Sequence, residues 1–193
     1  MVFEGKEPRA AVFLDRDGTV NVDKGYVHKI ADWEWIPGAI EAIGLLNRSG
    51  YLVVVVTNQA GIARGYYNHE TVAALHQHVD SLLKAENCWI NAYYLCPHHP
   101  EYGSVRECNC RKPLPGMLLQ AAQDLNIDMS RSWLIGDKLS DTEAGFAAGV
   151  SPILVRTGYG DQEREMADTG VQCEADLLRA VRSICSLENP QIK

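Results

Sequence analysis

Residues 10–21 read AAVFLDRDGTVN, an apolar run that breaks abruptly into Asp15, Asp17, Gly18 and Thr19. The run is too short for a helix and lacks the alternation of a half-exposed strand, so it describes a strand buried on both faces. Four further segments share that character: YLVVVVTN (51–58), AYYLC (92–96), SWLIGD (132–137) and SPILVRT (151–157). Helical patterns fill the intervals. Ile40, Ile43 and Leu46 share one face before a stop at Gly50, and Val72, Leu75, Val79 and Leu82 form a stripe behind a cap at Asn68. PGMLLQAAQDLNI, SDTEAGFAAGV and EADLLRAVRSIC complete the set. Strands alternating with helices predict an α/β fold with a doubly wound, Rossmann-like parallel sheet covered on both faces. No linker divides the chain, so one domain is expected over 1–193, with residues 156–173 as a loop leading to the last helix.

Acidic residues outnumber basic ones 25 to 18, a formal net charge of −7, and the basic residues are scattered. That balance argues against a general nucleic-acid partner. The start, MVFEGKEPRA, lacks a basic and apolar leader, and the longest aliphatic run is LVVVV at 52–56, so no membrane partner is expected. The expectation is a cytoplasmic monomer. In that compartment thiols stay reduced, and clustered cysteines are more often metal-binding or catalytic than bridged.

A lone D-x-D-G is ordinarily a turn. Here Asp15 and Asp17 have company, because the second strand ends in Thr57 and Asn58, the fourth ends in Asp137, Lys138 and Asp141, and Lys112 precedes a helix. In an open α/β sheet ligands bind at the carboxyl ends of the strands, so these groups fall at one edge. They suit phosphoryl transfer. A carboxylate attacks phosphorus to form an aspartyl-phosphate, a lysine offsets the phosphate charge, and hydroxyl and amide groups donate to its oxygens. Carboxylate and carbonyl oxygens with water make a Mg²⁺ site.

In the order D-x-D-G-T, strand-terminal T-N, lysine, then G-D-K-x-x-D, the chain resembles the haloacid dehalogenase superfamily of phosphohydrolases over nearly its whole length. The resemblance implies Asp15 as nucleophile and Asp17 as general acid, then base. Thr57 and Lys112 would hold the transferring phosphoryl group. Mg²⁺ would sit on the Asp15 and Asp137 carboxylates and the Asp17 backbone carbonyl, while Asp141 orients Lys138 or caps its helix. The first and fourth strands are expected side by side at the centre.

The stretch CPHHPEYGSVRECNCRKP, 96–113, offers Cys96, His98, Cys108 and Cys110. Three thiolates and an imidazole match a closed structural Zn²⁺ site, with His99 as the alternative imidazole, free reduced thiols as the next reading, and a Cys108–Cys110 bridge disfavoured by its tiny loop. A metal pinning 96–110 would deliver Arg111 and Lys112 into the site. Cys88, Cys173 and Cys185 read as ordinary small apolar residues. His69, His76 and His78 read as surface or helix-face histidines, and His28 as the one beside a candidate substrate loop.

No segment is long enough to fold as a cap domain, so substrate selection falls to three loops: 21–29, 57–67 and the cysteine loop. Capless, zinc-loop members of the superfamily that it resembles act on small phosphosugars or amino-alcohol phosphates. VDKGYVH, TNQAGIARG and GDKLSD resemble the sugar-bisphosphate branch more closely, and a branch acting on DNA 3′-phosphates shares D-x-D-G-T and a T-N-Q stretch. By that resemblance Asp23, Lys24, Gly25 and Tyr26, then Thr57, Asn58, Gln59 and Ala60, and finally Arg111, Lys112 and Lys138 would line the substrate pocket. Arg111 suits a bidentate contact to a second phosphate. Arg64 is a further candidate for that contact, although a solvated loop arginine is the preferred reading.

Overall fold

The structure is a computed structural model and describes residues 7–166 and 170–188. Strands β1 (Ala11–Leu14), β2 (Leu52–Asn58), β3 (Ala92–Cys96), β4 (Trp133–Gly136), β5 (Ser151–Val155) and β6 (Gln172–Glu174) form one sheet in the order β3-β2-β1-β4-β5-β6. All the pairings are parallel, and β1 lies between β2 and β4, with Val12 opposite both Val53 and Trp133. The order reverses at β1, so its carboxyl end opens onto the crevice where α/β sheets bind ligands.

Alternation along the strands divides the core in two. Val12, Leu14, Val53, Val55, Ile135 and Ile153 face α1 (Ala39–Arg48), α2 (His69–Ala85) and α6 (Leu177–Glu188). Ala11, Phe13, Val54, Val56 and Leu134 face α3 (Gly116–Leu125) and α4 (Leu139–Ala148). Each fully buried aliphatic side chain contributes about 1.5–3 kcal/mol, which offsets the cost of seating carboxylates at the sheet edge.

Asn68 caps α2 as the sequence predicts, its side chain accepting the Thr71 N–H at 2.9 Å. The apolar stripe of α2 ends on buried Leu83, whereas Leu82 is 36% exposed, because the i, i+3, i+4 pattern from Val72 through Val79 carries its inward face to Leu83. Residues 156–173 are more ordered than the loop expected of them. They contain the short helix α5 (Gly160–Glu163) and begin β6, although 167–169 lie outside the described residues. β6 is a three-residue polar edge strand whose sequence carries none of the apolar signal of the buried strands.

Candidate active site and metal centre

Asp15 follows β1, and its carboxylate meets the Lys112 ammonium at 2.5 Å. The same ammonium reaches Asp141 Oδ1 at 2.6 Å and the Val56 carbonyl of β2 at 2.8 Å, so all three of its hydrogens have acceptors. Lys112 is 4% exposed. Burial alone would lower its pKa, but Asp141 and Asp15 more than offset this and hold it charged. Its backbone is fixed by a reciprocal amide pair: Lys112 N–H donates to Asn58 Oδ1, and Asn58 Nδ2 donates to the Lys112 carbonyl, both at 3.1 Å.

Asp137 leaves β4 toward Asp15. Its Oδ2 accepts the Tyr159 N–H at 2.9 Å, while its buried Oδ1 has no partner among the described residues. Gly18, at φ +96°, and Gly158, at φ +58°, crowd this carboxylate so closely that a Cβ on either would strike it. Burial, with Asp15 adding its charge, pushes Asp137 up to about 8, and burial pushes Asp15 up to about 6 against the pull of Lys112. One carboxylate oxygen each from Asp15, Asp137 and Asp141 lies within 4.8 Å of the others. Asp15 and Asp137 offer buried hard oxygens, and the unpartnered Oδ1 of Asp137 is free to take a small divalent cation, which would reverse the upward shifts.

Asp141 has two tasks. Besides pairing with Lys112, its Oδ2 accepts the Lys138 N–H at 3.0 Å at the start of α4, where Gly136 leaves room for it. It therefore caps the helix and touches Lys138 only through the backbone. The Lys138 side chain instead lies 3.6 Å from Asp23 and 4.5 Å from the Tyr159 ring centre.

The Asp17 side chain lines the same cavity as Asp15 and Asp141, outside their cluster, and is held by a set of donors. Arg16 Nη2 approaches both its oxygens, at 2.9 and 2.7 Å, and Asn21 Nδ2 and Gln59 Nε2 each donate at 3.0 Å. These donors occupy the carboxylate of Asp17, which is not part of the acidic cluster. Arg16 is 1% exposed and also donates to the Val27 carbonyl. Sequence reasoning passed over it as the spacer in D-x-D. Of the two placements expected for His76 the helix face holds: it sits on α2, buried rather than at the surface, lies 3.4 Å from Arg16 Nη1 and stacks on Tyr93. Burial and then the Arg16 charge lower its pKa to about 3, so it is neutral.

At the end of β3, the Cys96, His98, Cys108 and Cys110 ligand atoms all lie within 4.8 Å of one another. Cys110 Sγ is 3.1 Å from Cys96 Sγ and 3.4 Å from His98 Nδ1, and Cys96 Sγ is 3.7 Å from Cys108 Sγ. No disulfide links them. The soft S₃N donor set fits a tetrahedral metal. His98 is the imidazole in this cluster; His99 faces Arg64 at 3.4 Å and Tyr102 instead. Arg64 is no solvated arginine, since its guanidinium lies 3.9 Å from the Tyr102 ring centre and 6.0 Å from that of Tyr26, bridging all three candidate loops.

A cavity of about 350 Å³ is lined by Asp15, Asp17, Thr57, Asn58, Arg111, Lys112, Lys138, Ser140 and Asp141. A neighbouring one of about 260 Å³ adds Asp23, Gly25, Tyr26, Gln59, Ala60, Tyr67 and Tyr159. Lys24 lines neither; its ammonium pairs with Glu34 at 2.8 Å near the surface. Ser140, in the first turn of α4, and the loop residues Tyr67 and Tyr159 were not foreseen, because lone hydroxyl-bearing residues carry no spacing signal. A groove of about 480 Å³ beside Trp89 lies at the amino end of β3, away from these acids.

A family model described as HAD-hydrolase-like matches residues 109–180. The chain belongs to the haloacid dehalogenase-like hydrolases. Within that class it is 47% identical over 180 residues to the D-glycero-beta-D-manno-heptose-1,7-bisphosphate 7-phosphatase of Yersinia pestis, covering 90% of this chain and 95% of the relative. The enzyme of the same name from Escherichia coli K12 is 46% identical, with 89% and 93% covered. A crystal structure of D,D-heptose 1,7-bisphosphate phosphatase from B. bronchiseptica, complexed with magnesium and phosphate, matches with a TM-score of 0.84 at 32% identity, covering 92% of this chain and 99% of that one. The corresponding structure from Burkholderia thailandensis gives 0.70 at 31% identity, with the same coverage.

Proposed function

We propose that this chain is a phosphomonoester hydrolase that removes the 7-phosphate of D-glycero-β-D-manno-heptose 1,7-bisphosphate, leaving heptose 1-phosphate for nucleotide-activated heptose synthesis. The observation that carries the reading is the convergence of Asp15, Asp137 and Lys112 at the carboxyl end of β1, β2 and β4. The named relatives supply the substrate.

Asp15 attacks phosphorus, and the sugar oxygen departs with a proton from Asp17. Asp17, now a carboxylate, takes a proton from water, whose oxygen attacks the acyl-phosphate and regenerates Asp15. Lys112, fixed by Asp15, Asp141 and Val56, and the Thr57 hydroxyl hold the phosphoryl oxygens. Mg²⁺, held by Asp15, Asp137 and the Asp17 carbonyl, would supply positive charge against the dianion. Asp23, Gly25, Tyr26, Asn58, Ala60, Arg111 and Lys138 frame the sugar and its second phosphate. Arg111 follows Cys110 directly, and its Nη1 donates to the His98 carbonyl at 3.2 Å, so Zn²⁺ on the thiolate loop would hold it in place. A single domain, a monomer, a cytoplasmic location and no nucleic-acid partner complete the proposal. The net charge of −7 supports the last, and no described helix is long and apolar enough to cross a membrane.

Phosphate release from heptose 1,7-bisphosphate and from histidinol phosphate, compared by kcat/KM with Mg²⁺ present, tests the reading. The bisphosphate is expected to win by orders of magnitude. A preference for the amino-alcohol ester would keep the mechanism and reject the assignment of the three loops.

A further inference from the structure

We propose that Gln59 is a positioning residue for this reaction, one buried amide that sets both the acid–base carboxylate of Asp17 and the hydroxyl of Thr57. The proposal rests on the roles given to Asp17 and Thr57 above and moves Gln59 from the substrate wall to the machinery behind it.

Gln59 is 2% exposed, and its backbone N–H donates to the Cys96 carbonyl at 2.8 Å, which locks the residue to the end of β3. The chemistry of its partners fixes which way the amide faces. The amide nitrogen donates to Asp17 Oδ2 at 3.0 Å, a bond that this oxygen accepts whether or not the other one carries the proton Asp17 gives to the leaving group. Its second hydrogen goes to Thr57 Oγ1 at 2.9 Å, and its oxygen accepts from the Tyr67 hydroxyl at 2.7 Å. Burial pushes Tyr67 up to about 12, so that hydroxyl keeps its proton and donates. The Tyr67 ring is in turn held against His28 at 4.5 Å, in space left by the missing side chain of Gly61.

Two consequences follow from this arrangement. Both amide hydrogens and the amide oxygen are already bonded within the protein, so Gln59 acts on the substrate through its neighbours. Thr57 accepts from Gln59, which leaves its own hydroxyl proton free to donate into the cavity that Thr57 lines. The same bond network keeps Asp17 beside Thr57, so that acid and phosphate donor are set as a pair.

The test separates positioning of an acid from a structural or phosphate-binding role. A sugar alkoxide needs a proton to leave, whereas p-nitrophenolate leaves without one, and kcat/KM reports the steps through leaving-group departure. In Gln59→Leu, kcat/KM for the sugar bisphosphate is expected to fall about 10²-fold, and that for p-nitrophenyl phosphate about threefold, the latter from the Thr57 bond alone. Tyr67→Phe keeps the packing and should show the same bias at about fivefold. Equal losses with both substrates, or none with either, would overturn the proposal. Asp17→Asn is the control, and it must show the same bias more strongly. If it shows no bias, the role given to Asp17 fails, and the proposal fails with it for that separate reason.

Discussion

Asp15, Asp137 and Asp141 come from the ends of two strands and the start of a helix, scattered across most of the chain, whereas Cys96, His98, Cys108 and Cys110 come from one loop. The acidic cluster is buried at the sheet centre and offers hard oxygens; the thiolate cluster sits at the edge strand β3 and offers soft sulfur. Lys112 belongs to both neighbourhoods, two residues beyond Cys110 and in contact with Asp15 and Asp141. In the proposed mechanism the difference separates two duties: one cluster holds the reacting atoms, and the other holds the chain that brings them a cation.

Removing a reacting atom should do most damage. Asp15→Asn is expected to lower kcat by about 10⁴-fold or more, with thermal stability and zinc content near wild type. Residual activity near wild type, or loss of zinc, would break the division of duties. Cys110→Ser should act one step removed, lowering kcat/KM by about 10²-fold through loss of the proposed Zn²⁺ and exposing residues 96–113 to limited proteolysis. If the loop loses its metal while kcat/KM holds, Lys112 is positioned by Asn58 and the acids alone. Arg64→Met should have the smallest effect, about fivefold in kcat/KM for the bisphosphate, through loss of the bridge that Arg64 makes between Tyr102 and Tyr26. The same change in turnover of p-nitrophenyl phosphate would place Arg64 in the fold rather than in substrate selection.

The contrast between the clusters also governs what could be read from sequence. The thiolate set was legible as spacing because its members are local, yet choosing His98 over His99 required knowing which ring turns toward Arg64. The acidic set was legible as the polar ends of apolar strands. What surrounds it was not: Arg16, Tyr67 and His76 gather around Asp17 and Gln59 from the loops after β1 and β2 and from α2, and no periodicity links them, while Gln59 was legible only as a pocket residue. Lys24 sits in a loop that does line the pocket, but Glu34 draws its flexible ammonium outward. β6 escaped notice because a short polar edge strand needs only backbone pairing with β5.

The central place of β1 also bears on how the chain comes into being. A nascent chain that has released residues up to 113 already carries the nucleophile, the hydroxyl and the lysine, but β1 still lacks β4, whose Trp133 pairs with Val12. That pairing closes one of the longest loops in the fold, and contacts so distant in sequence form late. Until they form, Asp137 is absent from the crevice, and in the proposed mechanism the half-built domain cannot hydrolyse a phosphate ester. Phosphatase activity in this architecture is thus a report that synthesis has passed β4 and that the sheet has closed around its first strand.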